Sequence, residues 1–304
     1  MALSECISVV DEQGRELLAH GTALFPAACY HDDLEELAVP WHWHDEIETT
    51  VVEGGDAIIS VGGETCRVKP GDGYFINTGA LHGMWAAGPG ECRLRAVLYH
   101  PRLVGGSMDS IFWQGYLQPL LSDPGRQYIH LHQEVPWERE ALQAIQRAWQ
   151  ACVDEPPGYE FQVRDALSRE VFLLADNCPA ARRSPSEKAL RDEQRIKVML
   201  RFLQEHCHEE LTVARIAGSA ALSESECLRC FRAMVGTTPI QYVKQLRVQK
   251  AAELLASTDR KIADIGALCG FQEMSYFAKT FRTLKGRTPS AYRAEKRAAG
   301  LRKL

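Results

Sequence analysis

The stretch Phe281-Arg-Thr-Leu-Lys-Gly-Arg-Thr-Pro-Ser-Ala-Tyr292 restates Phe231-Arg-Ala-Met-Val-Gly-Thr-Thr-Pro-Ile-Gln-Tyr242, with six of twelve positions identical at an offset of 50 residues. A repeat near that period marks one supersecondary unit used twice. Each copy closes a helical pattern with Gly at a C′ position and Pro soon after. The last third of the chain is therefore expected to be all-helical and duplicated.

Upstream of each copy lies a short helix and a turn. In the first unit, 213–219 reads as a helix around Ile216 and Ala217, and Ala221-Leu222-Ser223 as the turn. Ser223 with Glu226 three residues on forms a capping box. The next helix buries Cys227, Cys230, Phe231 and Met234 at i, i+3, i+4, i+7 and presents Ser225, Leu228, Arg229 and Arg232 on its other face. In the second unit, 262–268 is the first helix and Cys269-Gly270 the turn. A helix from about Gln272 buries Phe277 and Phe281, with Phe271 at its start, and exposes Ser275, Lys279 and Arg282. Residues 240–257 form one spacer helix of roughly 27 Å at ~1.5 Å per residue. Two second helices on such a spacer suit successive major grooves, about 34 Å apart.

Charge supports this division. Residues 191–304 hold 21 Lys and Arg against 12 Asp and Glu, a balance of +9, while residues 1–190 hold 14 basic and 28 acidic residues, −14. A basic module joined to an acidic one places the polyanion contact in the C-terminal part. The whole chain has 304 residues, 45% apolar and 25% charged, which suits two soluble domains. The N-terminus lacks the basic start and apolar run of a signal peptide, and no apolar segment is long enough to span a membrane. The expected location is the cytoplasm. The ten cysteines read as reduced core residues. Cys227-x2-Cys230 reads as part of a buried stripe, not a thiol switch.

With these motifs in place, the C-terminal part resembles the AraC/XylS family of bacterial transcription regulators. The carrying residues are Ile265-Gly-Ala-Leu-Cys-Gly-Phe271, Ser275-Tyr-Phe277, Phe281-Arg and Gly286-Arg-Thr-Pro-Ser-Ala-Tyr-Arg293, with Arg247, Ala251 and Leu254-Leu255 in the spacer. The resemblance covers about 193–294. It implies that Ser225, Leu228 and Arg229, then Met274, Ser275 and Lys279, face bases, with Arg232 and Arg282 beside them. Double-stranded DNA and RNA polymerase are the implied partners. Two departures stand out: Gly266 replaces the usual Ala, and Gln272-Glu273 stands where a capping Asp is common, so the second reading helix is expected to be less well capped.

Residues 1 to about 135 read as short strands split by Gly-rich turns, a sandwich or barrel. Within them, His42-Trp43-His44-Asp45-Glu46-Ile47-Glu48, taken as one strand, points His42, His44, Glu46 and Glu48 one way and Trp41, Trp43 and Ile47 the other. With Gly55, Pro70-Gly71-Asp72, Asn77 and His82, the segment resembles the cupin pattern. That resemblance implies a small β-barrel in which His42, His44, Glu48 and His82 point inward. Three imidazoles and one carboxylate suit a divalent Mn, Fe, Ni, Cu or Zn ion rather than Ca. Three uses remain open for the quartet: an effector site, with or without metal; a structural remnant; or the centre of a metal-dependent oxygenase or isomerase. Trp41, Tyr74, Phe75 and Trp85 are candidate aromatic walls.

From Trp137 the period becomes helical. Trp137, Leu142, Ile145 and Trp149 mark one helix; Phe161, Ala166, Leu167, Val171, Leu174 and Ala175 mark another. Their apolar faces pack either on their own sheet or on a second subunit. The expected fold class is α+β: a cupin-like β-barrel with a helical pair at about 137–178 (domain 1–178), a linker at 179–190, then an all-α domain at 191–304 with two helix-turn-helix units. The expected function is a sequence-specific, non-enzymatic DNA-binding transcription regulator, a homodimer controlled by a small-molecule effector.

Overall fold

A computed structural model describes residues 3–4, 20–34, 38–178 and 186–301. Ten strands lie among them: β1 (Leu3–Ser4), β2 (Ala27–Asp33), β3 (Val39–His42), β4 (Ile47–Gly54), β5 (Ala57–Val61), β6 (Glu64–Val68), β7 (Gly73–Ile76), β8 (His82–Ala86), β9 (Arg93–Tyr99) and β10 (Tyr128–Leu131). They form a six-stranded sheet, β1-β2-β9-β4-β7-β10, and a four-stranded sheet, β3-β8-β5-β6. Val52, Tyr74, Ile76 and Leu94 of the first sheet meet Ala57, Ile59, Val68 and Met84 of the second in one core. This is the expected cupin-like barrel.

The six-stranded sheet is covered on its other face as well. Ile47, Val51, Phe75 and Val97 pack there against two long helices. Strand β4 is consequently buried over its first six residues without alternation, as strands covered on both faces are. The chain reaches those helices through a segment that departs from the all-β expectation for residues up to about 135. Between β9 and β10 lie α1 (Arg102–Gly105), a π-helical turn (Trp113–Leu117) and α2 (Gln118–Leu121). Asn77, buried, donates its side-chain amide to the carbonyls of Leu120, Leu121 and Arg126, so it holds this connection rather than the quartet.

The helical pair is α3 (Pro136–Asp154) and α4 (Tyr159–Asn177). Leu142, Ile145 and Trp149 of α3 and Val163, Leu167 and Val171 of α4 are buried in the core shared with the sheet, each contributing roughly 1.5–3 kcal/mol. Of the two packings open to these faces, the structure holds the one on their own sheet. Phe161 is the exception: it faces solvent, 79% exposed. It lies on the face of α4 opposite Val163, Glu170 and Leu174, the same face that exposes Phe172.

A division into two compact units falls between Glu193 and Gln194, inside α5 (Glu187–His206). The linker expected at 179–190 falls mostly on 179–185, outside the described residues. The second unit continues with α6 (Val213–Ser219), α7 (Glu224–Met234), α8 (Pro239–Ser257), α9 (Ile262–Leu268), α10 (Met274–Lys285) and α11 (Pro289–Leu301). The repeated phrase has the same structure twice. Phe231 and Tyr242 are buried with ring centroids 6.2 Å apart; Phe281 and Tyr292 are buried at 5.5 Å. Gly236 and Gly286 take φ of 73° and 71°, the left-handed geometry that ends a helix. The Thr-Pro that follows starts the next one. Thr238 Oγ1 accepts from Gln241 N–H and Thr288 Oγ1 from Ala291 N–H, with Pro at the first helical position. The phrase therefore stops one helix and caps another. No described helix is long and apolar enough to cross a membrane.

Candidate functional site

His42 ends β3 in the four-stranded sheet, and Glu48 lies near the start of β4 in the six-stranded one. The segment 42–48 is thus not one strand. The chain turns at 43–46, and Glu46 turns away from the quartet, offering only its backbone carbonyl to His44 Nδ1 at 3.0 Å. The turn carries the chain from one sheet to the other, so His42 and Glu48 approach from opposite walls. His82 opens β8, directly across from His42. All four side chains are buried and their ligand atoms lie within 4.8 Å of one another.

The three histidines are oriented alike. His42 Nδ1 lies 2.8 Å from Pro40 O, His44 Nδ1 3.0 Å from Glu46 O, and His82 Nδ1 2.8 Å from Ala80 O. Each Nδ1–H is therefore donated to a backbone carbonyl, and each Nε2 turns inward. Glu48 Oε2 sits 3.1 Å from His82 Nε2 and 3.4 Å from His44 Nε2. Its Oε1 accepts from Thr50 Oγ1 and Tyr74 Oη, both at 3.3 Å. Burial alone would push the Glu48 carboxyl up; hydrogen bonds and charge from His44 and His82 outweigh it and hold the group well below the ordinary carboxylate range. Neutral imidazoles in this tautomer present lone pairs to a carboxylate. The arrangement calls for positive charge, supplied by imidazolium or by a cation. The donor set fits a divalent transition ion, and the backbone carbonyls supply the outer hydrogen bonds that orient metal-binding imidazoles.

Beside the quartet lies a small recess whose walls include Tyr30 and Asp32 of β2, Met84 of β8 and Leu98 of β9. His20 closes one side, its Nδ1 2.7 Å from Tyr30 Oη. Sequence reasoning missed these residues. A signal existed in part: Leu98 pairs with Glu48 across the sheet, and cross-strand partners share a face. Of the four aromatic candidates only Tyr74 reaches the quartet. Phe75 faces α3 and α4, and Trp41 and Trp85 are not on the recess wall.

In the helical unit, α7 starts with the full capping box. Ser223 Oγ accepts from Glu226 N–H and the Glu226 carboxylate accepts from Ser223 N–H. Cys227, Cys230, Phe231 and Met234 are buried as expected; Ser225, Arg229 and Arg232 are exposed and Leu228 is half-buried. On α10, Met274, Ser275, Lys279 and Arg282 are exposed, and so is Tyr276. This helix begins at Met274, two residues later than expected, and Glu273 provides no side-chain cap. Midway along α8, Arg247 donates to the carbonyls of Cys207 and Glu209, both at 2.6 Å. The α9–α10 turn closes on the same loop: a Cβ on Gly270, at φ +83°, would lie 2.8 Å from Cys207 O. The spacer thus anchors the second helix-turn-helix unit.

With this geometry in view, residues 25–154 match the AraC-like ligand binding domain and residues 216–295 a helix-turn-helix domain. The HTH-type transcriptional regulator YdeC of Bacillus subtilis is 29% identical over 288 residues, 94% of this chain and 97% of that one. The transcriptional activator RhaS of Citrobacter koseri is 28% identical over 86% of this chain and 92% of its own. The DNA-binding domain of AdpA, crystallised with a target DNA, is 33% identical over 33% of this chain and 91% of that one, with a TM-score of 0.33. The chain belongs to the AraC family. It is a DNA-binding transcription regulator with a ligand-binding domain.

One departure from the family pattern now has a physical account. A Cβ on Gly266 would lie 2.9 Å from Phe277 Cδ1 and 3.0 Å from Met274 Sδ. Gly266 in α9 and the Met274 thioether in α10 therefore occupy one another's space. Met274 divides its surface between this packing and solvent.

Proposed function

We propose that a small molecule in the barrel recess sets how two helix-turn-helix units are presented to DNA. The observation that carries this reading is the quartet and recess lying inside the part of the chain that matches the AraC-like ligand binding domain. His42, His44, Glu48 and His82 fix one polar end of the effector, and Tyr30, Met84 and Leu98 its body. A divalent transition ion held by the same four residues would supply a Lewis-acidic anchor for an anionic or hydroxyl group. The quartet serves recognition and not turnover, a reading supported by relatives that are transcriptional regulators. A ligand acts on such a switch only through different affinities for its two states.

On the DNA side, Ser225, Leu228, Arg229 and Arg232 on α7 and Met274, Ser275, Lys279 and Arg282 on α10 meet the duplex. Arg229 suits bidentate contact with guanine, and Lys279 guanine or phosphate. The chain acts in the cytoplasm with RNA polymerase as a further partner. It works as a homodimer. The apolar stripe of α3 is taken up by its own sheet, so the dimer surface shifts to Phe161 and Phe172 of α4 and to Met108, Ile111 and Phe112, all exposed. Tyr116 and Phe172 rings lie 6.2 Å apart, which makes part of this surface continuous.

The test is selection of genomic fragments bound by the full chain. Fragments sharing an asymmetric motif, with two differently read segments about one helical turn apart, support the reading. Fragments without a common sequence overturn it.

A further inference from the structure

Outside the quartet, the free edges of the two sheets meet at a second group of donor atoms. β10 is the last strand of the six-stranded sheet and β6 the last of the four-stranded one. Cys66 of β6 faces His130 of β10 across this seam, Sγ 3.3 Å from Nδ1. The other ring nitrogen of His130, Nε2, is buried without a hydrogen-bond partner. It lies 3.8 Å from Asp72 Oδ2. His132 Nδ1 lies 3.6 Å from the same oxygen, and the two imidazole rings are 3.9 Å apart. Asp72 Oδ1 is already engaged, accepting Gln133 N–H at 2.9 Å. Its Oδ2 is left directed at the two histidines.

Separations of 3.6 and 3.8 Å are too long for hydrogen bonds. A buried imidazole nitrogen left unbonded beside a carboxylate is costly. The same separations suit ligands of one ion. With metal–ligand bonds of about 2.0–2.1 Å in a tetrahedron, neighbouring donor atoms stand ~3.4 Å apart. All three donor atoms lie within 4.8 Å of one another. Cys66 fits an orienting role: a sulfur that accepts Nδ1–H fixes the His130 tautomer with its lone pair on Nε2. The His132 side chain is 50% exposed, so the group opens to solvent on one side, where water can complete the coordination.

We propose that Asp72, His130 and His132 form a second metal site, separate from the quartet, for a divalent transition ion such as Zn²⁺ or Co²⁺. Two imidazoles and one carboxylate favour these over Mg²⁺ or Ca²⁺. An ion there ties β10 to the turn that leads into β7, and β7 carries Tyr74, which bonds Glu48 of the quartet.

The test titrates the full chain with Co²⁺ and Zn²⁺, reading bound metal by equilibrium dialysis and ligand type by visible absorption. The His44→Ala chain isolates the second site. In that background one ion per chain is expected, with Co²⁺ bands of nitrogen and oxygen ligation. His132→Ala, at a half-exposed position, should weaken binding by about tenfold or more, and Cys66→Ser by about 10–100-fold. Asp72→Asn, which preserves shape, should act like His132→Ala; matched far-ultraviolet circular dichroism identifies any variant that fails to fold, and His132→Ala then carries the result. No stoichiometric ion in the His44→Ala chain, or affinity untouched by His132→Ala, overturns the proposal. A thiolate-to-Co²⁺ charge-transfer band overturns the ligand set.

Discussion

Thr49 Oγ1 donates to Glu170 Oε1 at 2.5 Å, so a carboxyl on α4 is fastened to the strand residue next to Glu48. Tyr99 Oη bonds the other oxygen at 3.4 Å. Glu170 is fully buried, and desolvation pushes its pKa up to about 7, hydrogen bonds from Thr49 and Tyr99 opposing it. A carboxyl raised in the folded state binds its proton there more tightly than in the unfolded chain. Stability is therefore greatest below the unfolded value, near 4.5, and falls as pH rises towards 7, by about 3 kcal/mol in all. Glu170→Gln should match the wild type at pH 5 and exceed it at pH 8 by up to that amount. Urea unfolding at the two pH values checks this; an equal effect at both refutes it.

Glu48 has the opposite sign. Its carboxyl is held low by His44 and His82 against the cost of burial. Its contribution is present above the unfolded carboxylate pKa and is lost as pH falls below it. Glu48→Gln should lower stability at pH 7 and converge with the wild type in acid. Thermal unfolding across pH 3–7 (a range set by ordinary carboxylate titration, about 4.3) reads the convergence.

Helices α7 and α10 differ in their starts, which gives a paired prediction. Ser223→Ala removes the capping box of α7 and should cost about 1 kcal/mol. Glu273→Asp places an acceptor at the uncapped start of α10, where the backbone is already extended, and should stabilise by about 0.5–1 kcal/mol. Denaturant midpoints of the helical unit's transition would show shifts in opposite directions.

The exposed faces of α7 and α10 give a third pair. Arg229→Ala should cost roughly 1–3 kcal/mol and relax specificity at one base position. Lys279→Ala, if its partner is a phosphate, should weaken binding evenly across sequences and reduce the salt slope by about one. Anisotropy titrations on a matched and a single-base-changed duplex separate the two outcomes.

Much of the helical unit was legible because α7, α8 and α11 carry their own boundary marks, whereas α10 starts without one and its first residue lies two beyond the expected start. Ser223 and Glu226, Gly236 and Pro239, and Gly286 and Pro289 are local signals, and the buried stripe through Phe231 is one period. The quartet was legible as spacing but not as geometry. Strand alternation fails at 43–46, where the chain changes sheets, and nothing in His42 to Glu48 marks that turn. The recess walls were hidden because β2 is buried on both faces at Ala27–Tyr30, which erases the alternation that would single out Tyr30. The helical connection at 102–121 consists of turns of four or five residues without side-chain caps, too short to show a period. Phe161 lies on the face of α4 opposite Val163, Glu170 and Leu174, so at about 100° per residue the wheel itself places it in solvent beside Phe172.

In the proposed function, α7 and α10 read a specific DNA site under control of the barrel recess. The most direct measurement is a binding titration of the full chain on a selected genomic site and on a scrambled duplex, over a salt series. The expected affinity for the selected site is at least about 10³-fold above that for the scrambled one, with log affinity falling linearly in log salt and the preference reduced in Arg229→Ala. Equal affinity for both duplexes at every salt concentration would contradict it.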